Sequence, residues 1–256
     1  MKAIHFFMKL AGLLIAASLP FSAIDAAAQP AKTRLAKQRV ANVRSISAQS
    51  ANEMNQVIAS MKQSSRTIRT IYARMNQVKR NTQVGGPPET SNAEMYIEHR
   101  PGSKDDQVKI TYTDGKVAAL VGNDAIYYEP NNNHVFLINR RSLFQGEKKI
   151  IPDPYAFVFD LPKYYHLSYL GRGQVGRYAT SVIKLTPKDN NENSLYRQLF
   201  TVWIDRISWL PVKYEAVEEN GDVITITLSN VRKNGAIPPG TFKVAWKPGT
   251  TEDRIQ

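Results

Sequence analysis

Residues 108–139 read VKITYTDGKVAALVGNDAIYYEPNNNHVFLIN, and this stretch decides the fold. Four short runs (108–112, 116–121, 125–128 and 134–139) are rich in Val, Ile, Leu and Tyr, the residues that suit a pleated, half-buried surface. Between them stand Asp114-Gly115, Gly122-Asn123 and Asn131-Asn132-Asn133, residues that accept the left-handed backbone of tight hairpin turns. Runs joined by such short turns form antiparallel neighbours, because a parallel return needs a crossover of a dozen residues or more.

The same rhythm continues in both directions. Residues 93–99 precede the stretch. Residues 165–170, 177–185, 199–205, 212–218, 223–231 and 242–246 follow it, with Asn220-Gly221 as one more hairpin signal. Regularly spaced short strands predict an antiparallel meander, one large curved sheet or an open barrel. Residues 140–163 break the rhythm. Leu143, Phe144, Tyr155, Phe157, Val158 and Phe159 cluster there around Asp153-Pro154, a pair that can open a short helix. A short apolar helix inside a sheet protein can cover one face of the sheet.

Upstream, Met54, Val57, Ile58 and Met61 recur at helical spacing. Ser64-Ser65 can break the helix, so residues 68–80 read as helix or strand. Gly85-Gly86-Pro87-Pro88 is a loop. Residues 29–52 carry five cations, no acid and no aromatic residue, and are expected to be a flexible basic arm or a frayed helix.

The first 28 residues have the layout of a secretory signal. Lys2 and Lys9 precede an apolar run over residues 10–19, and Ala26-Ala27-Ala28 precede Gln29. The expected organisation is signal peptide 1–28, arm 29–52, one domain over 53–250 and a tail over 251–256, with the mature chain in the periplasm. The chain has no cysteine, so it offers neither a disulfide nor a thiol for lipid anchoring. With 34 Lys and Arg against 22 Asp and Glu, its formal charge is +12. In a periplasm the acidic partners are phospholipid headgroups, lipopolysaccharide and acidic proteins, not nucleic acid.

No nucleophile elbow, zinc-protease helix or Walker loop occurs. Gly171, Gly173 and Gly176 match the spacing G-x-G-x-x-G, but a strand run follows where the dinucleotide motif needs a helix. His99, His134 and His166 stand far apart, with no ligand partner at metal-binding spacing. Asp105-Asp106 and Glu218-Glu219 sit beside turns and read as solvated turn residues. The residues themselves describe a basic, exported, antiparallel-sheet binding protein that is not an enzyme and needs no cofactor or metal.

An ordered set of segments resembles the periplasmic outer-membrane lipoprotein carrier family, LolA. Arg100-Pro101 ends a strand after Tyr96-Ile97-Glu98-His99. Asn123-Asp124-Ala125-Ile126-Tyr127-Tyr128-Glu129-Pro130 resembles the family's central hairpin. Asp153-Pro154-Tyr155 falls where the family has a short lid helix, and Leu185-Thr186-Pro187-Lys188 matches a strand end. The resemblance covers about residues 52–250. It departs at 102–107, a polar insert where the family has aromatic residues. The resemblance implies an incomplete antiparallel β-barrel, mainly β, closed by an N-terminal helix and short lid helices. It implies a monomeric carrier that shields the acyl chains of lipoproteins between the membranes. Its partners would be acylated lipoproteins, an inner-membrane lipoprotein-releasing ABC transporter and an outer-membrane lipoprotein acceptor. Arg100, with Pro101, would govern lid closure and release. The implied lid and cavity residues are Leu143, Phe144, Tyr155, Phe157, Val158 and Phe159, with Tyr112, Tyr128, Phe136, Ile183, Trp203 and Ile226 from strands. Two other readings are a binder of free lipid or hydrophobic small molecules, and an envelope interaction or sensor module that transports nothing.

Overall fold

A computed structural model describes residues 33–83, 85–99, 106–139, 165–188, 199–218 and 220–255, with residues 33–49 described as helix backbone only. Among the described residues, a long helix, α1 (Thr33–Thr67), precedes twelve strands. These are β1 (Thr70–Arg80), β2 (Glu89–Glu98), β3 (Gln107–Tyr112), β4 (Val117–Val121), β5 (Asp124–Glu129), β6 (His134–Asn139), β7 (Tyr165–Val175), β8 (Tyr178–Pro187), β9 (Leu199–Asp205), β10 (Pro211–Val217), β11 (Val223–Lys233) and β12 (Thr251–Ile255).

All twelve strands share one sheet in the order β12-β6-β5-β4-β3-β2-β1-β11-β10-β9-β8-β7. Every pairing is antiparallel except β12 with β6. Two meanders, β2 to β6 and β7 to β10, meet at a seam where β1 pairs with β11, Ile71 beside Lys233 and Arg80 beside Val223. The ends β12 and β7 do not pair, so the sheet is an incomplete barrel of the LolA-like type. Short turns join β3 to β4, β4 to β5, β5 to β6, β7 to β8, β9 to β10 and β10 to β11, and residues 70–80 resolve as strand.

The strands at the seam alternate between buried and more exposed positions. Ile71, Ala73 and Met75 of β1 are buried, as are Ala93, Met95 and Ile97 of β2, and they form one core with Met54, Val57, Ile58 and Met61 of α1. That common core defines the inner, concave face. The outer face of the seam is polar and wetter: Tyr72 Oη donates to Glu94 at 2.9 Å, and the side chains of Asn76 and Asn92 bond across the strands.

The helix does not begin near residue 53. It runs unbroken from Thr33, so of the two readings of residues 29–52, flexible arm or frayed helix, residues 33–52 take the helical one. It ends where Ser65 Oγ donates to Lys62 O and Thr67 Oγ1 donates to Ser64 O, each at 2.9 Å. Such back-bonding competes with the helical ladder. Asn234, left-handed at φ 58°, then donates to Thr67 O and accepts from Arg69 N.

The C-terminal region also differs from expectation. Residues 242–246, expected as a strand, form no ladder. Instead Val244 and Trp246 pack on the outer side of β4 to β6 against Val117, Ala119, Ile126, Tyr128, Val135 and Leu137. This explains why β4 to β6 read as nearly continuous apolar runs: both of their faces are covered. Residues 251–255, expected as a tail, become β12. Asn133 Nδ2 donates to Gly249 O, Thr250 Oγ1 donates to Asn133 Oδ1, and His134 Nε2 lies 2.9 Å from Asp253 Oδ2.

Candidate functional site

The alternation of every strand sends one row of apolar side chains to the concave face. Tyr112, Ile183 and Ile226 are buried there, and Phe136 packs half-buried against the same core. Four of the six strand residues expected to line a cavity therefore share this face. The other two are corrections. Trp203 is on the outer face of β9, opposite Lys213, whose ammonium lies 4.0 Å from the indole centroid. Its neighbours Val202 and Ile204 point inward. Tyr128 belongs to the outer cluster under Trp246. Both errors have one cause: period two leaves the choice of face open, and an aromatic residue suits either. Arg100, Pro101, Leu143, Phe144, Tyr155, Phe157, Val158 and Phe159 lie outside the described residues.

Burial pushes the hydroxyls of Tyr112, Tyr127 and Tyr214 above the ordinary tyrosine range, so all three stay neutral at any physiological pH. At the end of β5, Tyr127 Oη donates to the Glu129 carboxylate at 3.2 Å. Four buried methionines, Met54 and Met61 of α1 and Met75 and Met95 of the sheet, lie in this core. Unbranched thioether side chains repack around differently shaped apolar groups at low cost.

Few polar ties hold α1 on the sheet. Towards its middle, Glu53 reaches the edge strand β7, 3.3 Å from Arg172 Nη2 and 3.5 Å from Tyr169 Oη. Nearer its end, Ser64 Oγ donates to Ser208 O at 2.8 Å. Ser208 sits in the β9–β10 turn, where its N–H and Oγ both donate to the buried Asp205 carboxylate at 2.8 and 2.6 Å. Trp209 follows at φ 60°, a left-handed conformation that a bulky residue holds only when its surroundings impose it.

Two cavities adjoin this turn. An apolar slot of about 30 Å³ lies between the seam and β10, lined by Ile71, Met95, Leu210, Tyr214, Leu228 and Val231 among others. A groove of about 290 Å³ lies against the last turns of α1, lined by Ser60, Gln63, Ser64, Thr67, Trp209 and Lys233. The slot is far below the roughly 300–1,000 Å³ of an ordinary ligand pocket. Sequence reasoning missed Trp209 and Lys233. A tryptophan inside a predicted turn was the available signal. Among the described residues no three His, Asp or Glu side chains converge as metal ligands. None of the described helices is long and apolar enough to cross a membrane.

A sequence model of the MucB/RseB N-terminal domain matches residues 89–244, which run from the start of β2 to the segment over the outer cluster. The chain belongs to the MucB/RseB N-terminal domain family. What the chain shares with the implied lipoprotein carriers is the open antiparallel-sheet architecture. No curated protein sequence matches. Among solved structures, the fold is similar to MucB from Pseudomonas aeruginosa in its complex with MucA, at 14% identity and a TM-score of 0.46, covering 74% of this chain and 60% of that one. It is also similar to a putative outer membrane lipoprotein-sorting protein domain from Vibrio parahaemolyticus, at 14% identity and TM-score 0.39, covering 73% and 94%. A LolA superfamily protein from Nitrosomonas europaea matches at 11% identity and TM-score 0.36, covering 74% and 97%. The chain thus spans only part of MucB.

Proposed function

We propose that this MucB/RseB-family domain is a non-catalytic periplasmic binding module that takes the acyl chains of a lipoprotein, or another long apolar group, against its concave face. The observation that carries this reading is how that face is covered. It is apolar across both meanders, yet among the described residues α1 covers it with only Met54, Val57, Ile58 and Met61. An acyl chain exposed to water costs about 0.8 kcal/mol per methylene, so a carrier must offer a continuous apolar surface. Because Met54, Val57, Ile58 and Met61 pack on that face, a ligand that spreads along it would have to displace α1. The helix and its ligand then compete for one surface, a two-state arrangement that ligand binding can bias.

In its finer form the reading is a shuttle. The module would accept lipoproteins from an inner-membrane releasing transporter and deliver them to an outer-membrane acceptor, with Arg100 and Pro101 governing release. A second reading is a regulator that binds an envelope protein partner. The family assignment favours it, since MucB is solved in complex with MucA.

Native mass spectrometry of the protein purified gently from its own envelope, beside Arg100→Leu, tests the proposal. A bound acylated polypeptide, enriched in the variant, supports the shuttle. Bound free phospholipid supports a lipid binder. Bare protein in both samples, with no uptake of added amphiphile, overturns the apolar-ligand reading and leaves the protein-partner reading.

A further inference from the structure

We infer that the groove at the end of α1 is a headgroup subsite, and that the ligand is an amphiphile with an anionic, phosphate-bearing head, a phospholipid of the phosphatidylglycerol type. The inference rests on the reading that the concave face holds an apolar chain. The polar groove and the apolar slot are lined by neighbouring residues. Trp209 lines the first and its neighbour Leu210 the second. Lys233 lines the first, while Val231 and Lys233's cross-strand partner Ile71 line the second. A polar mouth thus opens beside an apolar floor, the division an amphiphile requires.

The chemistry of the mouth selects the head. Its lining holds three hydroxyls, one amide, one indole and one ammonium, and no carboxylate. Lys233 is exposed and has no hydrogen bond or ion pair among the described residues. The end of a helix normally repels an anion. Here several of those carbonyls are already taken: Thr67 O accepts from Asn234 Nδ2, Arg66 O and Ile68 O both accept from Arg69 Nη1, and Ser64 O accepts from Thr67 Oγ1. With the carbonyls occupied, the nearby cations Arg66, Arg69 and Lys233 set the local field. The left-handed residues Trp209 and Asn234 stand at two corners of the groove and hold its walls in place, and a fixed wall lowers the ordering cost of binding.

The test is calorimetric titration of the full chain with dihexanoyl phosphatidylglycerol, below its micelle concentration, beside dihexanoyl phosphatidylcholine and inorganic phosphate. The expected result is a preference for the anionic lipid that weakens with added salt. Lys233→Gln should lower affinity for phosphatidylglycerol about tenfold, with phosphatidylcholine unchanged and Lys233→Arg restoring the preference. Val231→Phe, which fills the slot, should weaken both lipids. Equal binding of both lipids by the wild type, with no effect of Lys233→Gln, overturns the headgroup subsite while the concave-face reading stands. Binding of neither lipid overturns both. Inorganic phosphate binding as tightly as the anionic lipid makes the groove a free-anion site and overturns the inference.

Discussion

Ser64 Oγ donates to the backbone carbonyl of Ser208 at 2.8 Å, and this bond joins α1 to the β9–β10 turn across 144 positions of sequence. Ser64 is nearly buried, and Ser208 is in turn fixed by the buried carboxylate of Asp205. Ser64→Ala leaves the Ser208 carbonyl to water and should cost about 1 kcal/mol of stability. Urea denaturation should show a lower midpoint with an unchanged slope. If α1 is the plug of the concave face, the same variant should take up an added amphiphile more readily.

Truncation of the helix's apolar face separates packing from function. Met61 is 5% exposed within the main core. Met61→Ala should destabilise the fold by about 2–5 kcal/mol through lost burial and residual cavity. The space it leaves adjoins the concave face, so saturating amphiphile should restore part of the lost stability in a thermal melt. A variant that melts early and gains nothing from the amphiphile would count against the concave-face reading.

The C-terminal segment invites a different measurement. Trp246 packs on the outer cluster, and its Nε1 donates to Glu252 at 3.1 Å. Trp246→Ala should cost about 2 kcal/mol and expose Val135 and Leu137. Increased binding of an environment-sensitive dye, together with faster amide exchange in β12, is the expected signature. Dye binding without any change in β12 would show that the strand docks independently of the tryptophan.

The acid limb of the stability profile tests the Lys79–Asp222 pair. Lys79 Nζ lies 2.9 Å from Asp222 Oδ2 and 3.6 Å from Glu218 Oε2. The hydrogen bond from Lys79, with further bonds from Asn220 and the Thr82 N–H, holds the Asp222 carboxyl below the usual carboxylate range. A depressed carboxyl contributes stability that is present above the unfolded-state value, near 3.9, and is lost as pH falls through the lower folded value. Asp222→Asn should therefore lower the melting temperature at neutral pH and flatten its decline below about pH 4. Parallel acid limbs in the two proteins would show that the pair contributes little.

The sheet was legible in the sequence because short turns permit one kind of neighbour. Asp114-Gly115, Gly122-Asn123 and Asn220-Gly221 each mark a reversal that the structure contains. The seam was not legible. Ile71 meets Lys233 through tertiary packing that no local pattern announces, and residues 68–80 fit both helix and strand. The placement of Tyr128 and Trp203 on the outer face has a similar origin. Ile183 and Trp203 both lie on well-formed strands, and only the position of α1 decides which face is inner. Residues 33–52 show the limit of composition: a polar, one-signed stretch fits a flexible arm or a frayed helix, and what decides for helix is its continuation into the segment anchored by Met54, Val57, Ile58 and Met61. The groove that ends at Lys233 is built by three segments far apart in the chain, so no window of sequence contains it.

The β1–β11 seam has a mechanical consequence. Among the described residues it is the ladder that joins the two meanders. Twist at that single ladder opens or narrows the trough between the two wings while every hairpin stays intact. The slot lies against this ladder, with Ile71 on one strand and Leu228 and Val231 on the other. The molecule is in this sense a clasp, with its pivot beside the place where a ligand would enter.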